Sequence, residues 1–480
     1  MSAGARYLER LNDGRNVWIG GKPAGDIREH EALRGTARSV AAVMDLQDDP
    51  ELGPKLTYRT EDTGARANRA FQNPRSPQEL AGRREAFYLW SAATFGVMSR
   101  IGGFYRAQLA AWHERRSLIA AEQPQFPDKL DAYFRYVRDN DLLLTAAGHD
   151  PQVDRSKLAS ELGDAYAALR IVRETEDGLI VRGSKMIATG APYMDEIMVS
   201  PHSPKQQAEH RYAVMFAVPV SYPGLHLVCR EPFHAEDTED HPLSGRYDEL
   251  DAVLVFDDAL IPWERVFIHD DPAAIWKIRS DRLAGSLSIH ENIARLLAKL
   301  EFTAAVGQEL AFSIGITRFG HVQAKLSELQ RQAESVRALL LAAEDGAERH
   351  ESGVWEPRLA PLTTAKNLGN RYYPRAIEIL QQLSGAGMLQ TPATARELDT
   401  LAGGALAPLL HSAYGGADRG APERVRLLKL AWDLVGSPLG ARHELYERFY
   451  AGDPARTYAA QYAEYDKSAL IARTLSRLGS

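Results

Sequence analysis

The sequence predicts an α+β protein, mostly α, in three parts: a mainly helical segment over 1–141, a middle β-barrel over 142–271 and a helical bundle over 272–480. Three observations carry this reading. Apolar residues recur with a helical period up to about residue 141. From Leu142 the runs become short, alternating or wholly apolar, and are separated by Gly, Pro and Asp, as in a barrel or sandwich. After Asp271 long amphipathic runs return and continue almost to the last residue, as in an antiparallel bundle. A chain of 480 residues is long enough for such parts and a large core.

In chain order, residues 5–11 read as a short helix. Residues 16–26 read as a hairpin, with Val17-Trp18-Ile19 as strand, Gly20-Gly21 as turn and Pro23 at an edge. Residues 28–46 are helical in pattern. Ser76-Pro77-Gln78-Glu79 is a capping box with proline at the first helical position, and starts a helix expected to reach about residue 99. Its aromatics Phe87, Tyr88, Trp90 and Phe95 read as core. Gly102-Gly103 then breaks the helix and leaves Arg100, Phe104 and Tyr105 at the bend. A cation beside two rings suits an aromatic or anionic ligand, or is a surface arginine beside core rings. Phe126-Pro127-Asp128 starts another helix.

Strands are expected at 142–146, 166–175, 179–187, 196–200, 212–220, 225–229, 252–256 and 265–268. Before the second of them, Asp150-Pro151-Gln152-Val153-Asp154-Arg155 makes a proline-stiffened turn with two carboxylates and a guanidinium. Asp177-Gly178 is a hairpin turn. The strand after it ends in Gly183 to Pro192, whose small, hydroxyl-bearing end either suits a flat polar cofactor ring lying close to the chain or closes an ordinary hairpin. His234 and His241, with acidic residues between them, match no metal-ligand spacing and read as a loop, so no metal site is expected. Helical runs follow at 289–316, 322–345, 364–383, 421–435 and 456–478. Breaks at Ser384 to Gln390 and at Gly436 to Glu444 put glycines with hydroxyl or amide groups at helix ends.

Composition narrows the function. A net charge of −7 with no basic run argues against nucleic acid as a partner. The single cysteine, Cys229, excludes an internal disulfide or an iron–sulfur site and fits a reducing, cytoplasmic compartment. No apolar stretch approaches a membrane span, and residues 1–16 lack an apolar signal core. Neither glycine set is a dinucleotide-binding fingerprint after a strand, and there is no P-loop or nucleophile elbow.

Four stretches carry a resemblance across the chain. They are Tyr7-Leu8-Glu9-Arg10-Leu11-Asn12-Asp13-Gly14-Arg15; Pro151-Gln152-Val153-Asp154-Arg155; Pro242-Leu243-Ser244-Gly245-Arg246-Tyr247-Asp248-Glu249, continuing to Leu260–Val266; and Leu428-Lys429-Leu430-Ala431-Trp432-Asp433, continuing through Gly436-Ser437 to Arg442-His443-Glu444-Leu445-Tyr446-Glu447. In these the chain resembles the oxygenase components of the 4-hydroxyphenylacetate 3-monooxygenase family, which are built on the acyl-CoA dehydrogenase architecture. The resemblance implies a two-component monooxygenase. A separate NAD(P)H-dependent flavin reductase supplies FADH2, and the oxygenase reacts it with O2 and holds a flavin C4a-hydroperoxide that hydroxylates a small aromatic substrate. It implies flavin contacts from Gln152, Val153, Asp154 and Arg155, from Thr189 and Ala191, and from Gly436, Ser437 and Arg442. By analogy with the architecture, a homotetramer is expected.

On the substrate side the resemblance implies an arginine, a tyrosine four residues later and a histidine just before the Pro-Gln-Val-Asp-Arg turn, all around a phenol oxygen. The arginine falls on Arg100. The tyrosine position falls on Phe104, with Tyr105 one step on, and the histidine position on Ala146, with His149 three residues later. A missing base gives up ~10²–10⁴-fold in rate. Three explanations stay open: Tyr105 and His149 take the roles, or the substrate is an electron-rich pyrrole, indole or aniline, or the oxygen goes to a heteroatom. Arg100, Tyr105 and His149 are therefore the catalytic candidates, and Arg100, Phe104, Tyr105 and Ala146 line the expected substrate site. The rival readings are an acyl-CoA dehydrogenase, a 4-hydroxybutyryl-CoA dehydratase, which the single cysteine opposes, and a non-catalytic flavin-binding subunit.

Overall fold

The computed structural model describes residues 1–100, 103–233, 238–401, 406–450 and 452–478. The N-terminal helices form where their caps predict. Ser76 Oγ accepts from the Glu79 N–H at 3.2 Å, and the Glu79 carboxylate accepts from the Arg75 N–H at 2.6 Å. The helix so started, Pro77–Ala92, stops short of the expected residue 99. Phe95 and Gly96 both take left-handed backbone, at φ 56° and 68°, and turn the chain away. Phe87 and Trp90 are buried, whereas Phe95 lies at the surface, stacked on Phe302 at 4.5 Å.

Two open sheets make up the middle of the molecule, in place of the expected barrel. One has six strands in the order Lys22–Pro23, Val17–Ile19, Leu225–Cys229, Asp251–Pro262, Gly178–Thr189 and Arg170–Glu174. The other has four, in the order Val266–His269, Val214–Pro219, Glu196–Val199 and Leu144–Ala147. The six-stranded sheet cannot close on itself, because its first edge is a two-residue strand ending in Pro23, which lacks an N–H for further pairing. The N-terminal hairpin is part of this sheet, since Val17 pairs in parallel with Leu227. The sheets pack through apolar side chains, with Phe216 of one edge-on to Phe256 of the other at 5.7 Å.

The C-terminal half is a bundle around the helix Arg282–Ser313, which packs against Gly320–Asp345, Leu359–Ser384 and Ala421–Val435. The run expected over 456–478 is two helices, Pro454–Glu464 and Ser468–Leu478, because Asp466 caps a new start by accepting from the Ser468 N–H at 2.9 Å. Among the described residues no helix is long and apolar enough to cross a membrane.

The bundle core is charged at one point. Arg295 binds Glu447 at 2.6 and 3.0 Å, and Lys299 binds the same carboxylate at 2.9 Å, with all three side chains at most 1% exposed. Burial alone would raise the Glu447 pKa, but the two cations hold it at about 2. The Glu447→Ala variant strands two buried cations, so it is expected to lose about 3–5 kcal/mol of stability, read from chemical denaturation.

Candidate functional site

All three parts of the chain meet at one cavity of about 650 Å³. Its wall includes Arg100 from the bend before the helix Phe104–Glu114, and Phe104 and Tyr105 from the first turn of that helix. Ala146 and His149 come from the end of a strand and the turn after it, Thr189 and Asp251 from paired strands, and Arg442, Tyr446 and Phe449 from the helix Pro438–Phe449. A second space of about 660 Å³ holds Gln152, Asp154 and Arg155, and shares Gly148, His149, Ile187, His202 and Phe449 with the first.

The bend is shaped by packing and by one carboxylate. Gly103 sits at φ 146°, and a Cβ there would come within 2.8 Å of Phe87 and 2.9 Å of Ala70, so glycine is required. Glu249 is fully buried and accepts from Ser99 Oγ at 2.7 Å and from the Arg100 N–H at 2.6 Å. The Arg100 guanidinium lies 4.5 Å from the Phe104 ring centre, 5.3 Å from Tyr105 and 5.6 Å from Tyr446. Burial opposes its charge, but Tyr105, Tyr446, Glu291 and Glu249 raise its pKa and keep it a cation.

Asp251 organises the opposite side. It accepts from Arg442 at 2.8 and 3.1 Å, from Arg230 at 3.0 Å and from Thr189 Oγ1 at 2.8 Å. Burial favours its neutral form, but Arg442 and Arg230 hold its pKa at about 2. Arg442 also approaches Glu249, at 3.5 Å. The Thr189–Ala191 turn is clamped from the N-terminus: Tyr7 donates to the Tyr193 carbonyl at 2.9 Å, and Arg15 to the Pro192 and Met194 carbonyls at 2.7 and 3.0 Å.

A bulge lies between the two spaces. Ala188 pairs with Ala252 and Lys185 with Leu254, so Met186 and Ile187 oppose only Val253. Ile187 adopts φ 56°, strained for a β-branched residue, and is 53% exposed on the wall of both spaces. The Met186 N–H donates to the His149 carbonyl at 2.9 Å, fixing His149 against the sheet. The His149 ring faces His202, with centres 4.0 Å apart. Burial, then Lys185 and Arg279, lower the His149 pKa, and burial with His149 beside it takes His202 to about 3. Both rings are therefore neutral proton acceptors at neutral pH.

The substrate-side residues expected from the sequence thus converge: Arg100, Phe104, Tyr105, Ala146 and His149 all line the cavity. The expected cofactor residues divide. Gln152, Asp154, Arg155, Thr189 and Arg442 line one of the two spaces, while Val153, 63% exposed, lies beside them. Ala191 is buried in the turn after Thr189 and lines neither space. Gly436 and Ser437 also line neither. Ser437 is spent on the helix cap, accepting from the Gly440 N–H at 3.1 Å and donating to the Asp433 carbonyl at 2.7 Å, and the helix it starts sends Arg442 inward instead. His202, Arg279, Asn292, Tyr446 and Tyr450 belong to the site and went unread. Tyr446 lay inside a quoted motif; the others carry no local pattern. His234 lies outside the described residues, and among those described no three His, Cys, Asp or Glu side chains gather as metal ligands.

Several buried polar atoms on this wall have no hydrogen-bond partner within the protein: an Nη of Arg100 and of Arg442, both amide atoms of Asn292, and the hydroxyls of Tyr446 and Tyr450. Such groups are costly unless a ligand satisfies them. Unpaired donors and acceptors among the residues lining a largely apolar space fit a ring system with a polar edge, as a flavin has.

Residues 3–268 match the family profile described as 4-hydroxyphenylacetate 3-hydroxylase N terminal, and 284–478 match that described as its C terminal. The 4-hydroxyphenylacetate 3-monooxygenase oxygenase component of Thermus thermophilus is 38% identical over 466 residues, covering 97% of this chain and 94% of that protein. A crystal structure of such an oxygenase component, complexed with FAD and 4-hydroxyphenylacetate, superposes with a TM-score of 0.92 at 36% identity, over 100% of this chain and 98% of that one. A 4-hydroxybutyryl-CoA dehydratase from N. maritimus shares the fold, with a TM-score of 0.88 at 19% identity over 100% of this chain and 95% of its own. Matched from end to end, the chain belongs to the 4-hydroxyphenylacetate 3-hydroxylase family, with its acyl-CoA dehydrogenase-like fold.

Proposed function

We propose that this protein is the oxygenase component of a two-component, FADH2-dependent monooxygenase that hydroxylates a small aromatic ring. Besides family membership, the observation that carries this is the convergence of Arg100, Tyr105 and His149 on one cavity whose other wall bears the orphaned groups of Arg442, Asn292 and Tyr446. Reduced FAD bound there would supply two electrons and two protons, so that one atom of O2 enters the ring and the other leaves as water.

The cofactor would be held by Arg442 and Thr189, both fixed by Asp251, and by Gln152, Asp154 and Arg155 on the second space. Gly436 and Ser437 act through the helix start that aims Arg442, and Ala191 through the turn that follows Thr189. Arg100 binds the phenol oxygen and favours its anionic form. Tyr105 orients that oxygen, and neutral His149 takes its proton. Phe104 and Ala146 pack the ring and exclude water. Tyr105 thus stands in for the tyrosine expected at position 104, and His149 for the histidine expected at position 146.

A separate NAD(P)H-dependent reductase supplies the reduced flavin. A cytoplasmic setting suits Cys229, whose thiol burial pushes up to about 12 and so leaves inert. A homotetramer would cover Leu470, Ile471 and Leu475, all at least half exposed on the last helix.

With FAD, a reductase, NADH and isotopically labelled O2, a phenolic substrate is expected to gain one labelled oxygen on the ring. Oxidation of the flavin without incorporation, across a panel of phenols and electron-rich heterocycles, would contradict the reading. The Arg442→Ala variant should weaken FAD binding about tenfold or more in an equilibrium titration, with the fold retained because Arg230 still pairs Asp251. The His149→Gln variant should lose about 10²–10⁴-fold in kcat. Because burial and cations lower the His149 pKa from 6.5, the neutral base persists as pH falls, and the acid limb of wild-type kcat/KM should lie below pH 6.5.

A further inference from the structure

Gly148, His149 and Asp150 follow one another where the two spaces meet, and each is pinned to a different group. The Gly148 carbonyl accepts from the His202 N–H at 3.0 Å, and the His149 carbonyl from the Met186 N–H at 2.9 Å. The Asp150 carboxylate accepts from Lys185 Nζ at 2.6 Å with one oxygen and from Lys205 Nζ at 2.7 Å with the other. Lys205 also reaches Glu209 at 3.2 Å, and Glu209 accepts from the Ala159 and Gln206 N–H groups at 3.2 and 3.1 Å. Lysines and carboxylates thus alternate from the sheet, through the turn, to residues 205–209. Lys185 is the deepest of them. Its side chain is 1% exposed, and among the described residues its one ion pair is with Asp150. It pairs with Leu254 at the last regular position of its strand before the bulge at Met186 and Ile187. Burial favours its neutral form, and Asp150 counters this.

A lysine is rarely buried so completely, and its amine is costly to hold there. Its neighbours say what it acts on. The strand grips the turn at two successive residues, by the main chain of Met186 on His149 and by the side chain of Lys185 on Asp150. Burial is the main force against a proton on His149, and among charges Lys185 opposes it most. Arg279 and Arg456 act in the same sense, Asp150 acts against them, and the His202 ring stacks at 4.0 Å. A base in a closed site needs both its place and its protonation state fixed, and a strand fixes both more precisely than a loop does. We propose that Lys185 is a positioning residue for the base: through Asp150 it holds His149 in place on the cavity wall, and it sets a buried positive charge beside that ring. The role rests on the hydroxylase reading for the reaction that His149 serves.

The test follows the titration of His149 in the full-length protein, by the exchange of its ring C2–H for deuterium, read by mass spectrometry. Lys185→Met should move that titration up toward the ordinary imidazole range, because a like charge is removed. Lys205 still pairs Asp150 in this variant, so the turn keeps one clamp. Asp150→Asn should move the titration further down, because Lys185 is left uncompensated beside the ring. Lys185→Arg should restore the wild-type value. In single turnovers with FADH2, O2 and a phenol, the rate of Lys185→Met relative to wild type should fall about threefold or more between pH 8 and pH 6, as the base becomes protonated. A plain structural staple gives a different result, since Lys185→Met and Asp150→Asn would both loosen the turn, expose the ring and bring its titration to the ordinary value together. That result, or a His149 titration unmoved in Lys185→Met, would overturn the proposal. Turnover separates this from the hydroxylase reading. If the two variants shift His149 in opposite directions but wild type hydroxylates no ring, the positioning role stands and the hydroxylase reading fails. If wild type hydroxylates and neither the His149 titration nor the pH dependence changes in Lys185→Met, the positioning role fails alone.

Discussion

Glu249 and Asp251 stand two residues apart where the chain enters the strand Asp251–Pro262, and between them they hold one piece of the cavity wall from each of the three parts of the chain. Glu249 fixes the bend that carries Arg100, from the N-terminal third. Asp251 fixes Thr189 on the neighbouring strand and Arg442 on a bundle helix. Neither carboxylate would be tolerated in so dry a place alone. Arg442 and Arg230 keep Asp251 ionised and Arg442 lies 3.5 Å from Glu249, so the pairing that offsets burial also sets the geometry of the wall.

The long motifs of the sequence take on physical meaning around this pair. Tyr7, Arg10 and Arg15 belong to the first, and they bind the turn Pro192 to Asp195 rather than any ligand. Asp433, in the last motif, accepts from the Leu243 and Ser244 N–H groups at 2.8 Å and from the Ser244 hydroxyl, and so docks the segment that leads to Glu249. Glu447, at the end of the same motif, neutralises Arg295 and Lys299 beneath the helix that carries Arg442 and Tyr446. Much of what marks the family in sequence is therefore a set of clamps at the junctions between segments, one step removed from the cavity.

The substrate side is where the chain departs from the pattern that the resemblance implies. Ala146 and Phe104 replace the groups that the resemblance placed on the phenol oxygen, yet a tyrosine and a histidine reach the same cavity from one and three positions further along. The helix that begins after Gly103 turns Tyr105 onto the wall beside Arg100. The bulge at Met186 and Ile187 reaches across to the His149 carbonyl and holds that ring beside His202. A bulge inserts one residue and so can redirect a side chain without disturbing the sheet beyond it.

By itself the sequence determined the order of helical, β and helical parts, the capped start at Ser76 and the hairpins at Gly20-Gly21 and Asp177-Gly178, and it singled out Arg100, Tyr105, His149 and Arg442, which the fold brings to one cavity, because caps, turns, periods and contiguous motifs are local signals. Its errors were also local in origin. The helix from Pro77 ends earlier than its apolar pattern predicts, because nothing in that pattern announces the left-handed turn at Phe95. The strands form open sheets where their pattern predicts a barrel, because alternation reveals a buried face but not whether the sheet's edges meet. Only the tertiary structure could decide that Gly436-Ser437 serves as a cap while Arg442 reaches the cavity, that Glu249 and Asp251 join three segments, and that His202 and Arg279 complete the wall. These depend on contacts between residues tens to hundreds of positions apart, whose pairing is set by packing and charge compensation rather than by neighbours in the chain.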